Sequence, residues 1–290
     1  MNSARTIVLL GSEGNITLDA YATYLEGAGR AHVRAHGSSD LRYTIGGHGG
    51  APTLGVYAGD TSLTGDEFAI FVQDPHGMVA GDEGKEPSFS SQEWFSTLWS
   101  FCGVHEHVVN PPSIGAWGPS LTDKLLRDGL DEKALPREFV GGHTEGIAEV
   151  LEDDVRPTVF AENLGTRHRK YLRSSAEVTR WGRRGADHYG LRTYVADTAE
   201  QLLQLFVGDE VFTLRNDWDA DVESSEHRAL CDEIGESLST LRLGFYAVAF
   251  HRSQGTVRVS TVFRDVPGPW FEEQSSAVFG ALTRVLEGES

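Results

Sequence analysis

The sequence predicts an α/β (α+β) chain, and three observations carry that prediction. A β-α-β opening runs from Thr6 to Ala35, glycine-punctuated strands follow it, and Phe245–Phe263 reads as a hairpin leading into a last amphipathic helix. At 290 residues the chain has room for one large domain or two to three closely joined subdomains. Its 39% hydrophobic and 23% charged residues are those of an ordinary globular protein. No apolar run is long enough to span a membrane as a helix.

Thr6–Gly11 (TIVLLG) is a short apolar run ending in glycine, the pattern of a buried strand. It is too short for a secretory signal. Leu18–Ala28 sets Leu18, Tyr21, Ala22 and Leu25 at helical spacing, with Gly29 as the stop, and Ala31–Ala35 is the second strand. The turn Gly11-Ser12-Glu13-Gly14 is not GxGxxG, so no dinucleotide is inferred from it. Leu41–Ile45, Thr53–Ala58 and Glu67–Val72 read as strands separated by turns such as GGHGGAP. His48 in that turn has no His or Cys at metal spacing and reads as a solvated loop residue. After the polar, acidic stretch Gly77–Ser90, Ser90 is expected to cap a helix whose Trp94, Phe95, Leu98, Trp99 and Cys102 form one apolar face. His105 and His107 alternate as on a strand, with no third ligand for zinc. Cys102 and Cys231 are read as buried free thiols of a reducing, cytoplasmic compartment.

Asn110-Pro111-Pro112 precedes a predicted helix with Lys124 near its start, and Leu135-Pro136-Arg137 leads to a strand at Glu138–Val140. Thr144–Leu151 is read as a small helix and Thr158–Glu162 as the next strand. Leu191–Val195 and Leu202–Val207 follow, and Gly208-Asp209 turns the chain into Glu210–Leu214 within the phrase LFVGDEVFTLRND. Glu226–Thr240 carries Leu230, Ile234 and Leu238 on one helical face. Phe245–Arg252, the turn Ser253-Gln254-Gly255 and Thr256–Phe263 form the hairpin, and Trp270 opens the last helix after a Pro-Gly-Pro break.

The succession Leu243-Gly244, strand, turn, strand, Gly268-Pro269-Trp270 and helix, with Asn110-Pro111-Pro112, Lys124 and LFVGDEVFTLRND before it, resembles the ATP-grasp ligases. The likeness is to the RimK-like peptide maturases, which form side-chain ester or amide crosslinks, and it runs over residues 105–286. It implies an N-terminal pre-ATP-grasp domain (1–115), a central α+β lid (116–200) and a C-terminal antiparallel sheet with helices (201–290). It further implies ATP and magnesium as cofactors if the chain is catalytic and none otherwise, a peptide substrate, and a homodimer. Lys124 would reach the nucleotide phosphates, or else is an exposed helix lysine.

The residues that carry the family's chemistry differ. Its hairpin Asp falls on Ala249, its Glu on Phe263 and its Asn on Asp265; a phosphate-contacting Lys falls on Glu162, and an Arg before the Val-Gly-Asp strand falls on Leu203 or Gln204. The remaining candidates are Asp265 and Arg215 for catalysis and Asp265 with Glu272 for metal. Arg167, Arg169, Lys170 and Arg173 stand where a glycine-rich phosphate loop is expected, beside Lys124 as nucleotide contacts. Magnesium needs carboxylates, so this set is thin.

A net charge of −18 argues against general nucleic-acid binding. Yet Arg167–Arg184 holds seven of the 25 Lys and Arg. This basic island either pairs with acidic neighbours in the chain or receives phosphates or an acidic peptide. No GxSxG, HExxH, CxxC or Walker A sequence is present. Three readings result: a divergent ATP-grasp ligase acting on a peptide; a non-catalytic relative binding an acidic peptide or a partner ligase; and a small-molecule carrier on the same fold.

Overall fold

The structure is a computed structural model that describes residues 5–36, 40–48, 51–63, 65, 67–73, 89–112, 137–141, 158–163, 169–172, 191–196, 201–218, 224–253 and 256–289. In chain order its first elements are β1 (Thr6–Leu10), α1 (Ile16–Gly27), β2 (His32–Ala35), β3 (Leu41–His48), β4 (Ala51–Ala58), β5 (Thr61–Ser62), β6 (Phe68–Val72), α2 (Phe89–Val104) and β7 (Val108–Val109).

β2, β1, β6 and β7 form a parallel sheet in that order. Parallel sheets are covered on both faces, and period-two alternation sorts the strands accordingly. Val8, Leu10, Ile70 and Val72 pack with Leu98, Phe101 and Cys102, whereas Ile7, Leu9, Ala69 and Phe71 face the other way. Helix α1 begins before the predicted Leu18 because the Asn15 side chain accepts the Leu18 N–H at 3.1 Å. It ends as expected at Gly29, whose φ of +65° lets the Arg30 N–H return to the Leu25 carbonyl. Gly11 is fixed by close packing: a Cβ there would lie 2.4 Å from Leu18 Cδ1 and 2.5 Å from the Gln73 carbonyl oxygen.

Several expectations in this half are corrected. His48 lies in β3 opposite Ala51, so it stands at the end of a hairpin strand and not in a loop. Helix α2 starts at Phe89, which puts Ser90 inside it. Among its described side chains Leu98, Phe101 and Cys102 are buried, while Trp99 is 41% exposed; the side chains of Trp94 and Phe95 are not among those described. His105 and His107 precede the short β7, so they do not alternate on a strand. His105 packs edge-on to Phe101, and His107 Nε2 lies 2.8 Å from the Arg5 guanidinium.

β8 (Arg137–Gly141), β9 (Thr158–Asn163), β10 (Arg169–Leu172) and β11 (Leu191–Ala196) form an antiparallel sheet in the order β10-β9-β11-β8. The expected loop Gly77–Ser90 up to residue 88, Lys124 and the helix at Thr144–Leu151 lie outside the described residues. The last elements are β12 (Gln201–Val207), β13 (Glu210–Asn216), α3 (Ser225–Ser239), β14 (Phe245–Ser253), β15 (Thr256–Phe263), a 3-10 segment (Gly268–Gln274) and α4 (Ser275–Glu287). Their sheet is antiparallel in the order β13-β12-β14-β15. Trp270 therefore belongs to the 3-10 segment, and the true helix starts after it. Both cysteines are free, Cys102 buried and Cys231 half-buried. No helix among the described residues is long and apolar enough to cross a membrane.

The parallel sheet and the C-terminal sheet share one core. Leu9, Tyr21 and Phe71 from the first half pack with Leu205, Phe245, Phe271, Phe279 and Leu282 from the second. Tyr21 stacks on Phe279 at 4.9 Å and its hydroxyl meets Thr283 Oγ1 at 3.0 Å, where burial holds the phenol neutral. Thr17 Oγ1 donates to the Val266 carbonyl and accepts the Gly268 N–H, both at 2.8 Å.

Asn110 closes this joint. It is 0% exposed and sits at φ +58°, a left-handed conformation that asparagine tolerates. Its Oδ1 accepts the N–H groups of Gly244 and Phe245 at 3.2 Å each, and its Nδ2 donates to the Phe245 carbonyl at 2.6 Å. The Arg264 guanidinium donates to the Asn110 and Pro111 carbonyls at 2.6 and 2.7 Å. Arg242, also left-handed, caps the end of α2 by donating to the carbonyls of Cys102, Gly103, His105 and Glu106. Replacing Asn110 with Ala strands the N–H groups of Gly244 and the buried Phe245 and adds left-handed strain. Urea unfolding of Asn110→Ala is expected to show a loss of about 4 kcal/mol with an unchanged m-value. A loss below about 1 kcal/mol would show that the joint does not depend on this amide.

Candidate functional site

Two bulges mark the middle of the C-terminal sheet. β12 shifts register against β13 between Leu203 and Gln204, and β14 shifts against β15 between Ala249 and Phe250. Leu203 and Ala249 are direct partners, so the two irregularities lie side by side. Bulges re-aim side chains and are common beside active sites. One cross-strand row here reads Arg215–Leu203–Ala249–Thr261, and the next on the same face reads Phe212–Leu205–Ala247–Phe263.

This face is apolar. Leu205 and Ala247 belong to the shared core, and Leu203, Phe212, Leu214 and Phe263 pack against it while half-buried. Phe263 meets the edge of Trp270 with ring centroids 5.0 Å apart, and Trp270 itself stays 38% exposed. The two positions where the resemblance calls for carboxylates thus hold a methyl group and a packed ring. Asp265 is exposed just past β15, and Glu272 is exposed in the 3-10 segment. Beside Asp265, desolvation lowers the pKa of the half-buried Arg264 and the aspartate charge opposes that shift. No group of three or more His, Cys, Asp or Glu that could hold a metal occurs among the described residues. Magnesium, which needs oxygen ligands in near-octahedral array, does not fit this face.

The other predicted residues fall as follows. Arg215 stands on the outer strand opposite Leu203, exposed, with Asp217 Oδ2 at 2.6 Å. That hydrogen bond raises the Arg215 pKa. Leu203 and Gln204 lie inside β12 and not before it. Arg169 and Lys170 are on β10, while Lys124, Arg167 and Arg173 lie outside the described residues. Pairing adds Arg192, which sequence reasoning missed: Glu162 on β9 has Arg169 as its register partner on one side and Arg192 on the other. Only the strand order brings Arg192 to that row.

Helix α3 closes the reverse of the sheet with Leu230, Ile234 and Leu238 against Phe206, Tyr246, Val248 and Phe250. His227 is buried edge-on to both Trp218 and Phe250, and its Nε2 lies 3.4 Å from Cys231 Sγ. Burial pushes the Cys231 thiol up to about 12, so the pair offers no thiolate and is packing.

Solved structures with the same architecture include a macrocyclase and ATP-grasp ligases. The macrocyclase MdnC of Microcystis aeruginosa, bound with precursor peptide MdnA, superposes with a TM-score of 0.67 at 12% identity, over 98% of this chain and 100% of that one. A RiPP-associated ATP-grasp ligase of Chryseobacterium gregarium, in complex with ADP and a leader and core peptide, matches at 0.65 and 11% identity over 99% and 98%. A RimK domain ATP-grasp protein of Sphaerobacter thermophilus matches at 0.59 and 13% identity over 97% and 99%. No family model matches the sequence, and no curated protein matches it either. The fold is the ATP-grasp fold in its RimK-like form, as the order of elements implied.

His227 also generates a pH prediction. Desolvation first, and Arg252 second, lower its folded pKa, whereas the unfolded ring titrates near the ordinary 6.5. Below that value the unfolded state binds more protons, so stability is full above it and declines as the pH falls toward the folded pKa. Urea midpoints measured from about pH 7 to about pH 5 are expected to fall less steeply in His227→Gln than in the parent. Equal slopes would contradict this.

Proposed function

We propose that this chain is a non-catalytic ATP-grasp relative in a peptide-maturation pathway, which binds an acidic peptide without magnesium chemistry on its C-terminal sheet. The observation that carries this reading is that Ala249 and Phe263, in adjacent cross-strand rows, stand at the positions of the expected metal ligands. Carboxylate activation by ATP concentrates negative charge that must be met by magnesium and by fixed cations. A methyl group and a phenyl ring packed on Trp270 supply neither. Peptide binding is supported by the similar structures, since MdnC, the Chryseobacterium ligase and PsnB are all complexed with precursor peptides. An acidic partner is supported by the basic run Arg167–Arg184 in a chain of net charge −18.

A second reading, a ligase that joins a carboxylate to an amine or hydroxyl, is favoured by one observation. Glu162 replaces a phosphate-contacting lysine but lies in register between Arg169 and Arg192, so that row is net positive. Under this reading Lys124, Arg167, Arg169, Lys170 and Arg173 would face the nucleotide, and ATP and magnesium are required, as PsnB has been solved with Mg and ADP.

The two readings separate in one set of assays. A fluorescent Glu-rich octapeptide is expected to bind the full chain, to bind more weakly as salt rises, and to bind equally well in EDTA. The Arg169→Glu/Lys170→Glu/Arg173→Glu variant should bind about tenfold or more weakly. Release of ADP from ATP with magnesium and peptide should stay at the level of buffer. Peptide-stimulated, EDTA-sensitive ADP release overturns the proposal in favour of the ligase.

A further inference from the structure

The parallel sheet reverses its winding between β1 and β6, since β2 lies on one side of β1 while β6 and β7 lie on the other. At such a reversal the carboxyl ends of the two strands open a crevice in which ligands of open α/β sheets bind. Gly11 and Gln73 stand level just past those ends: the Gln73 N–H donates to the Leu10 carbonyl at 2.9 Å, and Gly11 passes against the Gln73 carbonyl. By alternation Gln73 follows Ala69 and Phe71 onto the α1 side of the sheet. Its side chain is 1% exposed, and its Nε2 has no hydrogen-bond partner among the described residues.

A buried donor left unpaired lowers stability and calls for a reason. The surroundings supply one. On the same side of the sheet α1 begins at Ile16, with Asn15 capping the positive end of the helix. Thr17 ties that turn to Val266 and Gly268, the loop that follows Asp265. The crevice is thus bounded by strand ends, a helix start and the loop from the opposite half.

We infer that Gln73 Nε2 is a ligand-binding donor, which receives a carbonyl or carboxylate oxygen of a bound peptide at this crevice. The inference deepens the peptide-binding reading and rests on it. A donor held for a ligand has a signature that a structural amide lacks: removing it stabilises the free chain and weakens binding. Gln73→Met keeps the length of the side chain without the amide, and Gln73→Leu provides a second apolar variant.

Thermal unfolding without peptide should show a gain of about 3 °C in at least one variant. Anisotropy titration with the Glu-rich octapeptide should show affinity about tenfold below the parent. A Gln-containing counterpart of the octapeptide identifies the oxygen. An equal factor for both peptides means a carbonyl, and a factor confined to the Glu peptide means a carboxylate. A lower melting temperature in both variants, or parental affinity in both, overturns the role of Gln73 alone. If the parent chain binds neither peptide, the peptide-binding reading fails, and this inference fails with it.

Discussion

The side-chain amide of Asn110 meets two N–H groups and a carbonyl at the start of β14, while its own carbonyl is held by Arg264 at the end of β15. One residue at the end of the parallel sheet thereby fixes both strands of the terminal hairpin. Its burial is complete, so every one of these bonds replaces water and none can be released cheaply. Arg242 performs the reciprocal service, satisfying the exposed carbonyls at the end of α2 from the other side of the joint. With these two clasps in place the shared core of Tyr21, Phe71, Phe245, Phe271 and Phe279 can pack as one body.

This explains why the scaffold persists where the expected site chemistry does not. The clasps act on backbone groups and depend on Asn110, Arg242 and Arg264, none of which is a metal ligand. The face between the bulges carries Leu203, Ala249 and Phe263, none of which offers an oxygen ligand. Packing and not charge shapes it: Phe263 continues the core outward to Trp270. The acidic group that remains, Asp265, lies next to Arg264, whose guanidinium is already engaged with Asn110 and Pro111.

Much of the fold is legible in the sequence because it is written in local patterns. The TIVLLG run, the Gly29 stop, the Gly208-Asp209 turn and the alternation of Thr256–Phe263 each state their element without reference to distant residues. The absence of carboxylates at 249 and 263 is legible for the same reason. What is hidden depends on partners far along the chain. Asn110-Pro111-Pro112 is visible as a phrase, but its work lies with residues more than a hundred positions away. The side-by-side bulges require three strands to be paired first, and so does the Arg169–Glu162–Arg192 row. Trp99 misleads because helical spacing places it near the apolar stripe, yet the sheet beneath α2 is filled by Phe101 instead.

Whether the C-terminal sheet holds a divalent cation separates the two readings, and manganese in place of magnesium reports it. Electron paramagnetic resonance counts free Mn²⁺ as it is added to the full chain in the presence of ATP, against ATP alone. The protein is expected to remove no further manganese, and Asp265→Ala to change nothing. Stoichiometric uptake by the chain, lost in Asp265→Ala, would contradict the non-catalytic reading and return the sheet to metal-dependent catalysis.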